Sequence, residues 1–169
     1  TAADSFAPAA QKVIPTVVNV FTQQKVRNPA HPALQDPIFR YFFGDRLDSR
    51  PRQASNLGSG VIVSPNGYIL TNHHVVEAAD EIQVALADGK TLPAHVVGAD
   101  PETDLAVLKI DASNLPAITF AQADSLNVGD WVLAVGNPFG VGQTVTAGIV
   151  SALGRTHLGI NTFENFIQT

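Results

Sequence analysis

Apolar residues recur in short runs that alternate with polar ones, and Gly, Pro, Asn and Asp residues separate the runs. Residues 13–21 are rich in β-branched side chains and predict a strand with Pro15 at its start or edge. Residues 82–86 alternate and meet Asp88-Gly89, a hairpin turn signal. Further strands are predicted over residues 60–63, 68–70, 91–98, 105–110, 131–135, 144–153 and 166–168. With one short helix near residues 75–79, this pattern predicts a β-barrel or β-sandwich.

Two stretches depart from this pattern. Residues 1–12 are small and polar and predict a frayed segment or a short helix. Residues 27–56 carry several prolines and arginines, and a connection of this length is usually functional or disordered. They include an aromatic cluster at residues 38–43, which could be an ordinary buried element or an exposed docking patch.

Composition narrows the class of protein. The chain has 169 residues, of which 45% are hydrophobic and 15% charged, as in a folded globular protein. A net charge of −5 argues against a broad nucleic-acid-binding surface. The absence of cysteine excludes disulfides, thiol catalysis and cysteine-based zinc sites. No apolar run approaches the ~20 residues of a membrane-spanning helix.

Polar side chains close one of the predicted strands, in Thr71-Asn72-His73-His74, and a carboxylate, Asp104, directly precedes another. A histidine followed by an aspartate in an all-β chain matches the order His, Asp, Ser of chymotrypsin-like proteases. From the residues alone, a single histidine at a strand end is more often structural, and Asp104 could be a turn or cap residue. Adjacent His73 and His74 would point to opposite faces of a strand, which is a poor arrangement for one metal ion.

Four motifs stand out together: Thr71-Asn72-His73-His74-Val75-Val76, residues 100–110, Gly136-Asn137-Pro138-Phe139-Gly140 and residues 146–155. Together they resemble the HtrA/Deg family of trypsin-like serine proteases, in its bacterial envelope-stress type. The resemblance implies a chymotrypsin-like double β-barrel. It identifies His74 as the catalytic histidine and Asp104 as the catalytic aspartate, with no cofactor and no metal. His73 departs from the family pattern, which usually has Asn there.

The resemblance also implies a domain organisation. Residues 1–12 would form an N-terminal extension, and residues 13–120 a complete first β-barrel that carries the long loop 27–56. Residues 121–169 would form an incomplete second β-barrel, with no PDZ domain. The family nucleophile lies in a Gly-Asn-Ser-Gly-Gly motif, which none of the serines in this chain matches, including Ser59 in Gly58-Ser59-Gly60. We therefore expect the chain to be truncated before the nucleophile and inactive alone.

Two functions from different classes follow. The first is the N-terminal portion of a periplasmic serine endopeptidase that cuts unfolded or regulatory proteins, with an inner-membrane anchor removed from its N-terminus. Its partners would include the missing C-terminal half of the protease domain and two further copies in a homotrimer, with Phe6, Phe21 and residues 38–43 as candidate contacts. The alternative is a non-catalytic, chaperone-like or peptide-binding module. A downstream Gly-Asn-Ser-Gly-Gly segment would distinguish them.

Overall fold

A computed structural model describes residues 5–25, 53–137, 142–156 and 166–169. Strands dominate this part of the chain, as the alternating pattern predicts. The strands are β1 (Val17–Lys25), β2 (Gln53–Ser64), β3 (Tyr68–Asn72), β4 (Glu81–Ala85), β5 (Thr91–Asp100), β6 (Leu105–Ile110), β7 (Trp131–Gly136), β8 (Thr144–Ile149), β9 (Ala152–Arg155) and β10 (Phe166–Gln168). The helices are α1 (Ala7–Val13), α2 (His73–Val76) and single 3₁₀ turns at Ile14–Thr16 and Ala123–Ser125.

The first six strands close into a barrel in the order β1-β2-β3-β6-β5-β4. Every neighbouring pair is antiparallel, and β4 returns to β1 to complete the circle. Closure satisfies the backbone N–H and C=O groups that an open sheet would leave at its edges. The prediction of an all-β fold with a complete first barrel is confirmed.

The barrel interior is filled by the apolar side chains of alternate strand positions. In β6, Ala106, Leu108 and Ile110 are buried while the residues between them are less so. In β4, Ile82 and Val84 are buried in the same way. These side chains pack with Val18, Val20, Ile62 and Ile69 in one core. The period of two in the sequence therefore reports the inward face of each strand.

Gly67, in the turn between β2 and β3, has a conformation that requires glycine. Its φ is +94°, and an added Cβ would lie 2.4 Å from the carbonyl oxygen of Ile110. The Gly67 carbonyl itself accepts a hydrogen bond from the Ile110 N–H at 3.0 Å. The turn thus packs directly against the end of β6, with no room for a side chain.

The described residues of the second half form two separate strand pairs, β7 with β8 and β9 with β10. The backbone N–H of Asn137, just beyond β7, donates to the Ser59 hydroxyl at 2.8 Å and so ties this half to the barrel. Four strands lie in the described residues after position 130, whereas the sequence predicted about three strands over residues 128–169. The second barrel is partly present, as predicted.

Several predicted boundaries are wrong. The first strand begins at Val17 rather than residue 13, because Pro15 lies inside the 3₁₀ turn that follows α1. The predicted strand over residues 144–153 is two strands, because β8 pairs with β7 as far as Ile149, whereas the N–H of Ser151 already donates to the carbonyl of Gln168 in β10. β2 begins at Gln53, inside the predicted loop 27–56. The aromatic cluster at residues 38–43 lies outside the described residues.

Candidate active site

The histidine pair and Asp104 lie at one end of the barrel because of how β3 and β6 are paired. Asn72, the last residue of β3, is opposite Leu105, the first residue of β6. The chain leaves β3 into α2 and enters β6 from a turn, so His74 and Asp104 face each other across two neighbouring strands. A rigid pair of strands therefore positions both candidate residues at the rim of the barrel.

Asp104 binds His74 at two points. Its Oδ1 accepts a hydrogen bond from the His74 backbone N–H at 2.9 Å, and its Oδ2 lies 2.7 Å from the ring Nδ1. The first contact fixes the start of α2, and the second fixes the plane of the imidazole ring. With a hydrogen on Nδ1, the other ring nitrogen, Nε2, carries a free lone pair.

The backbone of Asp104 is also held from the histidine side. Its carbonyl oxygen accepts the His73 N–H at 3.0 Å and the Asn72 Nδ2 at 3.1 Å. Asn72 occupies the N-cap position of α2, yet its side chain makes no capping bond to the helix. The side chain donates to Asp104 instead, and this bond links the end of β3 to the residue that precedes β6.

The turn before Asp104 is closed by the side chain of Asp100. Its Oδ1 accepts the Glu102 backbone N–H at 3.0 Å, and its Oδ2 accepts the Thr103 hydroxyl at 3.0 Å. Asp104 itself has a φ of +57°, in the left-handed region that residues other than glycine seldom adopt.

Hydrogen bonding lowers the pKa of Asp104 below its ordinary value of 3.8, and the largest cause is the bond from the His74 backbone N–H. Burial acts in the opposite direction, and the His74 side chain adds to the lowering of the pKa. The carboxylate is therefore ionised across the physiological pH range and available to stabilise a positive charge on the ring.

The His74 ring is open on its other side. Its side chain is 68% exposed, compared with 21% for Asp104. Among the described residues, Nε2 has no hydrogen-bond partner, and no serine hydroxyl contacts the ring. This arrangement can accept a proton from a group that approaches through solvent.

Other residues considered from the sequence lie elsewhere. Ser59 is in β2, where its hydroxyl is bonded to Asn137 and its carbonyl accepts the Thr71 hydroxyl at 2.8 Å. Both groups of Ser59 are therefore engaged in contacts that hold β2 to its neighbours. The described residues contain no group of three or more metal-binding side chains, and no helix among them is long and apolar enough to cross a membrane. His31 and His157 lie outside the described residues.

A cleft of about 390 Å³ opens beside the site, between the outer wall of the barrel and β7. Its lining includes Asn72 and Leu105 at the site end, and Leu133 and Val135 from β7. His74 and Asp104 do not line it. The cleft therefore adjoins the site without containing it.

No role was predicted from the sequence for Asn72, Asp100 or Thr103, although all three support Asp104 through hydrogen bonds. A signal for Asp100 exists in the sequence, because Asp-Pro favours turn initiation and an aspartate often binds the backbone two residues on. Asn72 had no comparable signal, since its bond to Asp104 spans 32 residues.

The chain is similar to known proteins over nearly its whole length. A family model for a trypsin-like peptidase domain matches residues 58–169. A relative named probable periplasmic serine endoprotease DegP-like, from Chlamydia pneumoniae, is 44% identical over 97% of this chain and 37% of its own length. A relative of the same name from Halomonas elongata is 45% identical over 97% of this chain and 38% of its own length. The chain thus spans less than two-fifths of these relatives.

Solved structures give the same result. The HtrA-type protease AlgW with a decapeptide matches with a TM-score of 0.76 and 52% identity, over 98% of this chain and 51% of that one. The serine endoprotease from Yersinia pestis matches with a TM-score of 0.67 and 42% identity, over 91% of this chain and 47% of that one. These similarities confirm the predicted chymotrypsin-like fold.

Proposed function

Because this chain belongs to the HtrA/Deg group of trypsin-like serine proteases, we propose that it supplies the histidine and aspartate of a catalytic triad in a serine endopeptidase. One observation carries the proposal: the Asp104 carboxylate holds the His74 ring through Nδ1 at 2.7 Å and leaves Nε2 open to solvent. A structural histidine at a strand end needs no such orientation.

The chemistry assigned to each residue follows from the geometry. His74 Nε2 takes the proton of a serine hydroxyl as the oxygen attacks the peptide carbonyl, and later gives that proton to the leaving amine. Asp104 keeps the hydrogen on Nδ1 and stabilises the imidazolium that forms. A hydroxyl is a weak nucleophile at neutral pH, so both residues are needed.

The third residue of the triad is proposed to come from sequence beyond Thr169. Two observations support this. The chain spans 37% and 38% of the two relatives described above. In addition, no serine among the described residues contacts the His74 ring.

The adjacent histidines allow a matched test in the full-length protein. His74→Asn is expected to lower kcat for casein by about 10⁴-fold or more, because the general base is lost. His73→Asn is the control, since the contact of His73 with Asp104 is made by its backbone N–H, which the substitution keeps. It should leave kcat within a few-fold of the wild type. Full cleavage by His74→Asn would disprove the proposed role.

Casein cleavage and a fluorophosphonate probe together distinguish a protease from the alternative function. A chaperone-like or peptide-binding module would bind unfolded casein without cutting it, and a fluorophosphonate probe would not label the full-length protein. A serine protease is labelled, and labelling falls in His74→Asn because the hydroxyl is no longer activated.

The proposed substrates are unfolded or regulatory proteins in the bacterial periplasm. The relatives from Chlamydia pneumoniae and Halomonas elongata are named as periplasmic serine endoproteases, which supports the location. An inner-membrane anchor preceding residue 1 is proposed as well. Fractionation of cells that express the natural gene would place the protein in the soluble periplasmic or the membrane fraction.

A homotrimer is proposed as the assembly. Phe6, before α1, and Trp131, at the start of β7, have ring centroids 5.4 Å apart at an interplanar angle of 51°. Both side chains are exposed, at 40% and 66%. Paired aromatic rings that remain accessible to solvent are typical anchors of protein–protein contacts.

A further inference from the structure

Asp100 is the last residue of β5, and both of its carboxylate oxygens bind the turn that leads to Asp104. Oδ1 accepts the Glu102 N–H and Oδ2 accepts the Thr103 hydroxyl, each at 3.0 Å. The backbone bond across the same turn, from Asp104 N to the Pro101 carbonyl, is longer, at 3.4 Å. The side chain of Asp100 therefore closes this turn more effectively than the backbone does.

The turn has an unusual conformation to maintain. The φ of Asp104 is +57°, in the left-handed region that residues other than glycine seldom adopt. Such a conformation persists only where its surroundings fix it. On one side of Asp104, Asn72 and His73 bind its carbonyl oxygen. On the other side, Asp100 fixes the three residues that precede it.

From these contacts we infer that Asp100 is a positioning residue for the candidate active site. By closing the turn over residues 101–104, it sets the direction in which Asp104 presents its carboxylate to His74. Asp100 is hydrogen-bonded to Glu102 and Thr103 and has no bond to His74, so it acts through Asp104. The effect on cleavage rests on the function proposed above, whereas the effect on Asp104 and His74 does not.

An aspartate that closes a turn could serve stability alone, and the barrel contains such a case. Asp88, between β4 and β5, accepts the Lys90 N–H through Oδ1 at 2.9 Å, with the same spacing of two residues. That hairpin lies outside the set of contacts that hold Asp104. Asp88→Ala is therefore the matched control for Asp100→Ala.

The first measurement uses the 169-residue chain and needs no nucleophile. Amide hydrogen exchange at His74 reports its bond to Asp104 Oδ1, and carbon NMR of Asp104 reports its carboxyl titration. In Asp100→Ala, the His74 amide is expected to exchange about tenfold faster or more, and the pKa of Asp104 to rise toward its ordinary value. Asp88→Ala should change neither. Exchange at His74 within about twofold of the wild type in Asp100→Ala, or an equal increase in Asp88→Ala, would overturn the inference.

A second variant covers the case in which Asp100→Ala does not fold. Thr103→Val removes the hydroxyl that binds Oδ2 and keeps the shape of the side chain and the Glu102 bond. Faster exchange of the His74 amide is again expected, with a smaller change than in Asp100→Ala. No change in this variant would also overturn the inference.

Kinetics in the full-length protease then separate positioning from the proposed function. Asp100→Ala is expected to lower kcat about tenfold or more with KM nearly unchanged, since a displaced base slows the chemical step. Asp88→Ala should leave both constants unchanged. If the NMR changes occur but His74→Asn still cleaves, the proposed function fails and the positioning role stands. If His74→Asn is inactive but Asp100→Ala leaves the NMR signals and kcat unchanged, the positioning role alone fails.

Discussion

The carboxylate of Asp104 binds both the backbone and the side chain of His74, at 2.9 Å to the amide nitrogen and 2.7 Å to Nδ1. One side chain thereby sets the position of the histidine backbone and the orientation of its ring. The paired contact also lowers the pKa of Asp104, so the stability of the fold depends on pH through this residue.

Asp104→Asn tests that dependence, because asparagine keeps the shape of the side chain and tolerates a positive φ. A folded-state pKa below the unfolded value of 3.8 contributes stability above that value, and this contribution is lost as pH falls through the folded pKa. The variant should be less stable than the wild type by about 1 kcal/mol near neutral pH. The difference should shrink once pH falls below about 3.8. Urea unfolding at several pH values measures it, and a difference independent of pH would contradict the assignment.

The barrel could be predicted from the sequence because its strands have one buried, apolar face and one exposed, polar face. Ile82 and Val84 alternate with polar residues, and the period marks the strand before any partner is known. The end of β1 could not be placed in this way, since Gln23 and Gln24 pair with β2 although neither is apolar. The pairing of β3 with β6 brings His74 to Asp104, and a contact between residues 30 positions apart has no local signal in one sequence.

Two glycines in tight turns allow two contributions to the free energy of unfolding to be measured separately. One is the strain of a positive φ, and the other is a steric clash of an added Cβ. Gly67 and Gly89 both have a positive φ, of +94° and +86°. An alanine Cβ at Gly67 would lie 2.4 Å from the Ile110 carbonyl oxygen, whereas nothing lies within 4 Å at Gly89. Gly89→Ala is expected to cost about 1 kcal/mol, and Gly67→Ala about 3 kcal/mol or more. Urea unfolding of both variants measures the gap, and equal costs would show that the turn at Gly67 can move away.

Gly58 of β2 lies under α2, the helix that carries His74. An added Cβ would lie 2.7 Å and 2.9 Å from the two γ-carbons of Val75. Gly58→Ala is therefore expected to destabilise the fold by about 1–3 kcal/mol through overpacking. Val75→Ala removes both γ-carbons, so the double variant should be more stable than the sum of the single changes predicts, by about 1 kcal/mol.

Gly98 provides the control for that cycle, since an added Cβ there meets nothing within 4 Å. Gly98→Ala should change the free energy of unfolding by less than about 0.5 kcal/mol. It should also show no coupling with Val75→Ala. Additive effects of Gly58→Ala and Val75→Ala would mean that β2 and α2 separate without strain.

The isolated 169-residue chain is expected not to react with a fluorophosphonate probe. Ser59 is engaged with Asn137, and no serine of the described residues contacts the His74 ring, so none has an activated hydroxyl. Intact-mass measurement after incubation with the probe provides the test. Stoichiometric labelling of any serine in this chain would show that the nucleophile lies within it.

Trp131 reports directly on the proposed self-association. It is the single tryptophan of the chain, it is 66% exposed, and its ring contacts Phe6. If these rings anchor a trimer, Trp131 leaves water on assembly, and its fluorescence emission should shift to shorter wavelength as protein concentration rises. Light scattering on the same samples gives the mass. Phe6→Ala should raise the concentration at half-assembly by about tenfold or more.

Phe120 is the matched control for Phe6. It is also a phenylalanine, it is 69% exposed, and it makes no ring contact with Trp131. Phe120→Ala should leave both the mass and the concentration dependence unchanged. Loss of the Phe6 ring alters the surroundings of Trp131 even in a monomer, so the decisive quantity is the change in emission with concentration rather than the emission itself. A wild-type chain whose emission and mass stay constant over the accessible concentrations would exclude self-association through this pair.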